Sequence, residues 1–198
     1  MLEKFKNNTD ILNIYEYGSR IYGTASEKSD YDFVVIVKDE VYTTDHCSEE
    51  NYEFNIYSKS QWIKMAEEND VTFCECFFLP NKIKEEFVPD FTIDIPKLRA
   101  SFSSVASNSW VKCKKKLTVE KDFAPYIGKK SLWHSFRILM FGIQILSKGK
   151  IYDYSEANSM YDEIVKNENN NWQYYKEKYQ ALYNQYKSEF RKFDRSTT

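Results

Sequence analysis

The chain has 198 residues, in which 28 Lys and Arg residues nearly balance 30 Asp and Glu residues. An aromatic content of 17% excludes global disorder, and only 5 Gly and 4 Pro exclude a collagen-like or low-complexity chain. The longest apolar run, residues 138–146, is far shorter than the roughly 20 residues of a transmembrane helix. The opening MLEKFKNNTD lacks the apolar core of a signal peptide, and the four cysteines lack a paired metal spacing. We therefore expect a cytoplasmic protein with reduced thiols and no membrane partner.

Three strands are predicted in the first half of the chain, over residues 11–17, 31–38 and 51–57. The third alternates in polarity, which puts Tyr52, Phe54 and Ile56 on one face of the sheet and Glu53, Asn55 and Tyr57 on the other. Ser58 or Ser60 then offers an N-cap for a helix that ends near Asn69. Residues 71–79 fit either a strand, with Cys74 and Cys76 on one side, or a buried helix.

The second half of the chain has helical periodicity. Pro96 and Pro125 are placed to begin helices over residues 97–117 and 126–148, and a third helix is predicted from Ser155 to about residue 166. The last segment, residues 172–193, carries an aromatic stripe that is typical of a core or a dimer surface and could also stack on bases. These elements predict an α+β unit over residues 1–90, with a mixed sheet and flanking helices, and a helical domain over residues 91–198.

Positive charge is concentrated in residues 111–150, where ten Lys and Arg residues face only Glu120 and Asp122. This segment carries a net charge of +8, so the remainder of the chain carries −10. A basic segment in an acidic protein indicates contact with phosphate, although isolated lysines often do no more than solvate a helix face.

The most informative segment is YGSRIYGTASEKSDYDF, residues 17–33. A strand ends at Gly18 and Ser19, whose turn can present backbone N–H groups and a hydroxyl to phosphate oxygens. Asp30 and Asp32 lie at alternate positions at the start of the next strand, so both carboxylates point to the same side of the sheet. Two converging carboxylates repel each other unless a cation lies between them, and hard oxygen ligands suit Mg²⁺.

These residues resemble the nucleotidyltransferase motif of the DNA polymerase β superfamily. Within that superfamily, the run GSRIYGTASEKSDYDF, followed by EFNIYSKSQWIKMAEENDVTFCECFFLP and KKSLWHSFRILMFGIQILSKGKI, is similar to a group of predicted nucleotidyltransferases, some of them linked to RNA repair. The resemblance implies that the sheet is of the nucleotidyltransferase type. It also implies that Asp30 and Asp32 bridge two Mg²⁺ ions, with Mn²⁺ as an alternative, and that Glu53 is the third ligand. Glu75 is the competing carboxylate, although its apolar neighbours favour a buried structural role.

The same resemblance implies that Gly18, Ser19 and Arg20 orient the triphosphate of a bound nucleotide. On the helix predicted over residues 126–148, Lys130, His134 and Arg137 share one stripe and would neutralise the β- and γ-phosphates. The alternative is a polar helix face on which His134 is a hydrogen-bonded packing residue.

The function implied is transfer of a nucleoside monophosphate from an NTP, with ATP favoured, to an acceptor hydroxyl with release of pyrophosphate. RNA is the favoured acceptor because of the basic segment and the RNA-repair link. Modification of a protein hydroxyl, as in antitoxin-type relatives, and a catalytically silent nucleotide- or RNA-binding module are the alternatives. The sequence leaves the nucleobase and the oligomeric state open.

Overall fold

The computed structural model describes residues 5–193, and the chain divides into two compact units between Thr92 and Ile93. The fold is α+β in the first unit and helical in the second, as predicted. The first unit contains a five-stranded mixed sheet in the order β3-β4-β2-β1-β5. Its strands are β1 (Ile11–Tyr17), β2 (Tyr31–Val37), β3 (His46–Glu49), β4 (Tyr52–Ser58) and β5 (Lys84–Glu85). Only β2 and β4 pair in parallel, and every other neighbouring pair is antiparallel.

Each face of the sheet has its own apolar layer. Phe33, Val35 and Phe54 lie on one face in a buried cluster, against which Tyr52 and Ile56 also pack, as the alternation in the third strand predicted. On the other face Tyr15 stacks on Trp62 with ring centroids 5.6 Å apart. Each large buried side chain of this kind stabilises the fold by roughly 1.5–3 kcal/mol.

The helices of the first unit are α1 (Ser19–Tyr22), α2 (Lys59–Glu67) and α3 (Val71–Phe77). Ser58 caps α2 through a capping box with Gln61, as its position before the helix predicted. Residues 71–79, which fitted either a strand or a buried helix, contain the helix α3, which is capped by Asp70. The strand interpretation is wrong. Cys74 and Cys76 are buried on this helix, and burial raises the pKa of both thiols.

The helical unit contains α4 (Ile95–Thr118), α5 (Pro125–Lys148), α6 (Tyr161–Val165) and α7 (Trp172–Lys192). The helix predicted from Ser155 is instead a 3-10 helix, Glu156–Met160, that leads into α6. The aromatic stripe of α7 forms part of the core, since Tyr183 is buried and stacks on Trp110 at 4.3 Å between centroids. Among the described residues no helix is long and apolar enough to span a bilayer.

Candidate active site

The turn after β1 lies directly against a carboxylate of β2. Gly18 has φ +75°, and a Cβ atom placed on it would lie 2.2 Å from Oδ2 of Asp32. Any side chain at this position would therefore collide with the carboxylate as well as strain the backbone. Ser19 follows as the first residue of α1, a helix of four residues that is capped by Gly23 in a left-handed conformation. The glycine thus brings the turn and the carboxylate together.

Two of the predicted carboxylates are neighbours across the parallel pair of strands. Asp32 on β2 is in register with Glu53 on β4, so their side chains emerge on the same face of the sheet. Asp30 precedes β2 by one residue and is exposed. Asp32 and Glu53 are each half-buried. The strand register, which the sequence does not give, therefore places Glu53 beside Asp32.

The side chain of Glu53 has a partner that the sequence analysis did not identify. Nε2 of His46 lies 2.7 Å from Oε2 of Glu53. His46 belongs to β3, which runs antiparallel to β4 with Ser48 opposite Glu53. The predictions treated residues 39–50 as a polar connection, so the strand was missed. Asn51, a residue type common in hairpin turns, was the available signal; in the structure its neighbour Glu50 has φ +54°.

Arg20 holds the loop that carries Asp30. Its guanidinium donates to the carbonyl oxygen of Ser29 at 2.7 Å and to that of Asp30 at 3.3 Å, and it lies 3.6 Å from the centroid of the Tyr31 ring. Guanidinium groups stack well on aromatic faces, so these contacts tie α1 to the start of β2. Arg20 on α1 thus helps to fix the position of the loop that contains Asp30.

Glu75 occupies a different environment from Glu53. It lies on α3, is only 1% exposed, and accepts a hydrogen bond of 2.5 Å from the hydroxyl of Tyr22 on α1. A side chain so deeply buried and hydrogen-bonded stabilises the packing of two helices. Glu53, with 36% of its side chain exposed, is the better candidate for the third carboxylate.

The donor set suits a hard divalent cation, because Asp32 and Glu53 offer carboxylate oxygens on one face of the sheet and Asp30 lies two residues before Asp32. Because Gly18 has no side chain, the Asp32 carboxylate can occupy the space next to its Cα atom. Within residues 5–193, however, no three His, Cys, Asp or Glu side chains converge closely enough to hold a metal ion. One carboxylate oxygen of Glu53, Oε2, contacts His46.

The predicted basic stripe lies on α5, in the helical unit. Arg137 is fully buried, donates to Nδ1 of His134 at 2.7 Å, and lies 4.9 Å from the centroid of the Phe141 ring. Burial lowers the pKa of His134 well below 6.5, and the positive charges of Arg137, Lys112 and Lys130 lower it further. His134 is therefore neutral at pH 7 and can accept the hydrogen bond. Lys130 is half-buried, with its Nζ 5.6 Å from the centroid of the Tyr126 ring.

Comparison with known proteins finds a family that the first unit resembles. The family model described as polymerase beta, nucleotidyltransferase matches residues 1–90. Among solved structures, a nucleotidyltransferase-like protein from Exiguobacterium sibiricum is 10% identical, with a TM-score of 0.34 over 98% of this chain and 71% of that protein. The comparison with curated proteins gave no match. The family match covers 90 of the 198 residues, and it indicates that the first unit, with its arrangement of Gly18, Asp32 and Glu53, resembles the polymerase β nucleotidyltransferases, whose general activity is nucleotidyl transfer.

Proposed function

We propose that this protein transfers a nucleoside monophosphate from an NTP, with ATP favoured, to an acceptor hydroxyl and releases pyrophosphate. The observation that carries the proposal is the pairing of Asp32 with Glu53 in register, with Asp30 two residues before Asp32 and the Gly18 turn packed against the Asp32 carboxylate. In the reaction, the acceptor oxygen bonds to the α-phosphorus as the bond to the β-phosphate breaks. The electron pair leaves with pyrophosphate, and the hydroxyl proton is lost.

Asp30, Asp32 and Glu53 would hold Mg²⁺, or Mn²⁺ as an alternative, once their carboxylates converge on the ion. When bound, such an ion lowers the pKa of the acceptor hydroxyl and offsets charge on the leaving pyrophosphate. The protein's own contribution is positioning. Gly18 lets the turn approach Asp32, and Arg20 fixes the Asp30 loop through the carbonyl groups of Ser29 and Asp30.

Phosphate binding would involve Ser19, whose hydroxyl follows the Gly18 turn. Among the cations of the α5 stripe, Lys130 is the more accessible, since Arg137 is fully buried. Arg137, which donates to neutral His134, would contribute its charge to the surrounding field.

RNA is the acceptor we propose. The segment from residue 111 to residue 150 has a net charge of +8 in a chain whose total is −2, which favours a polyanion over a neutral acceptor. Modification of a protein hydroxyl is the alternative outcome, and the experiment separates the two.

The test is incubation of the purified protein with each α-labelled NTP and Mg²⁺, with total RNA or a cell lysate as the acceptor. We expect label in RNA with the intact protein and none with the Asp30→Ala/Asp32→Ala variant. Label in protein would show that the acceptor is a protein hydroxyl and would still support the transferase activity. No label with any NTP, despite binding of Mg²⁺-NTP, would overturn the transferase in favour of a silent binding module.

A further inference from the structure

Large apolar side chains are exposed where α4 connects to α5. Phe123 is 53% exposed, Tyr126 is 58% exposed and Ile127 is 44% exposed, and Val119 at 37% completes the group. We call these four residues, together with Lys112, Lys121 and Lys130, the α4–α5 patch. Exposed apolar side chains scattered singly need no explanation, but a group within one short connection indicates a binding surface.

The connection that carries the patch is held firmly by the ends of the two helices. The amide of Ala124 donates to the carbonyl oxygen of Lys116 at 3.0 Å, and the amide of Gly128 donates to that of Ala124 at 2.9 Å. Asp122 accepts from Lys115 at 2.7 Å. A surface that is already ordered loses little conformational entropy when it binds a ligand. The aromatic rings are thus presented on a fixed frame.

The charge around these rings is strongly positive. Residues 111–130 contain seven lysines against Glu120 and Asp122, a net charge of +5. Lys115 and Lys116 are engaged with Asp122, and Lys129 donates to the carbonyl oxygen of Asn167 at 2.5 Å.

The remaining lysines include three exposed side chains for which the described part of the chain provides no ion pair: Lys112, Lys114 and Lys121. Lys130 lies beside the ring of Tyr126. The positive charges of Lys112 on α4 and Lys130 on α5 both lower the pKa of His134. The segment that carries the exposed aromatic side chains therefore also carries exposed lysines that have no ion pair among the described residues.

This combination favours one class of partner. Protein interfaces are depleted in lysine, whereas proteins that bind single-stranded nucleic acid combine lysines along the backbone with aromatic rings for the bases. We infer that the α4–α5 patch binds single-stranded RNA, with bases on Phe123 and Tyr126 and phosphates facing Lys112, Lys121 and Lys130. The identification of this RNA as the acceptor rests on the proposed function, but its binding does not.

Binding is measured by the fluorescence anisotropy of a labelled RNA of about 12 nucleotides, a length within the range of single-strand binding sites. Phe123→Ala and Tyr126→Ala are each expected to weaken binding about 10-fold, as loss of base stacking does. Each phosphate contact contributes about 0.7 to the slope of log K against log salt. Lys112→Gln/Lys121→Gln removes two such contacts and should reduce the magnitude of this slope by about 1.4. The same RNA in a duplex should bind at least about 10-fold more weakly, because its bases are already stacked.

Matched controls lie elsewhere in the helical unit. Tyr152 is as exposed as Tyr126, at 58%, and lies in the connection after α5, so Tyr152→Ala removes a similar ring outside the patch. Lys148→Gln/Lys150→Gln removes two exposed charges at the opposite end of α5. Both controls should bind RNA as the unmodified protein does.

The inference is overturned if the unmodified protein does not bind RNA, if the patch variants bind normally, or if the controls weaken binding equally. Loss of self-association or of vesicle binding in Phe123→Ala, with RNA affinity unchanged, would assign the patch to another partner. Asp30→Ala/Asp32→Ala should retain RNA affinity. Normal RNA binding by an inactive protein would therefore count against the proposed function alone.

Discussion

The strand ends of the first unit and helix α5 of the helical unit hold charged side chains in opposite ways. Asp30 is exposed and Asp32 and Glu53 are half-buried, so their carboxylates can still exchange solvent for a ligand. Arg137 is fully buried, with a neutral imidazole and aromatic faces as neighbours. A buried charge needs such partners, because removal from water is costly.

The two environments predict different consequences of substitution. Substitution at the strand ends changes the groups that we propose to bind the metal ion and leaves the core intact, so activity should fall while stability changes little. Substitution of the buried groups of α5 changes the packing and protonation of a folded core, so stability should respond first.

Asp32→Asn should lower nucleotidyl transfer by at least about 1,000-fold, equivalent to about 4 kcal/mol of transition-state stabilisation. The amide keeps the shape of the side chain beside Gly18 but removes its negative charge. Single-turnover assays with labelled NTP measure the loss, and circular dichroism and thermal unfolding test the fold. Unchanged activity in a folded variant would remove Asp32 from the catalytic assignment.

Gly18→Ala should lower activity about 100-fold, as expected when a catalytic group moves by roughly 1 Å. The new Cβ would lie 2.2 Å from Oδ2 of Asp32, so the carboxylate or the turn must shift. The positive φ adds a strain of about 1–2 kcal/mol.

Gly149→Ala is the matched control for that substitution. Gly149 also has a positive φ, +74°, but no atom lies within 4 Å of the position that a Cβ would take there. The control should lose a similar 1–2 kcal/mol, roughly, in urea unfolding and keep full activity. Equal losses of activity in the two variants would show that backbone strain, and not the contact with Asp32, is responsible.

His46→Ala should weaken the apparent affinity for Mg²⁺ about 10-fold, as the loss of a side chain that orients a metal ligand does. His46 lies 2.7 Å from Glu53 and orients its carboxylate. Activity measured against Mg²⁺ concentration tests this effect. Ser48→Ala, on the same strand and opposite Glu53, keeps the His46 contact and should behave normally. If His46→Ala has an unaltered Mg²⁺ dependence, the contact between His46 and Glu53 is not needed for Mg²⁺ binding.

The sequence predicts the strands that carry Asp32 and Glu53 because alternation in a strand translates directly into sides of a sheet. The bounds of β1, residues 11–17, and the two faces of β4 were correct for this reason. The sequence does not predict that β2 and β4 pair in parallel, with Asp32 opposite Glu53. Strand order depends on long-range packing, which no local pattern records.

Helix α5 shows a different limit. Helical periodicity correctly placed Lys130, His134 and Arg137 on one stripe, but periodicity does not say whether a stripe faces solvent or the core. Arg137 is buried because the rings of Trp133 and Phe141 and the imidazole of His134 surround its guanidinium. His46 was missed for a related reason, since its strand is short and polar and gains its structure only by pairing with β4.

The smallest predicted effect concerns the protonation of His134. Burial lowers its pKa well below 6.5 in the folded protein, and the positive charges of Arg137, Lys112 and Lys130 lower it further. The unfolded state therefore binds a proton near pH 6.5 that the folded state excludes, and stability falls as the pH drops below that value. One such group contributes at most about 1.4 kcal/mol per pH unit. His134→Gln keeps an acceptor for Arg137 but does not titrate, so its urea midpoint should fall less between pH 7.5 and pH 5.5. Identical losses in the variant and the unmodified protein would show that His134 is not the group that destabilises the fold in acid.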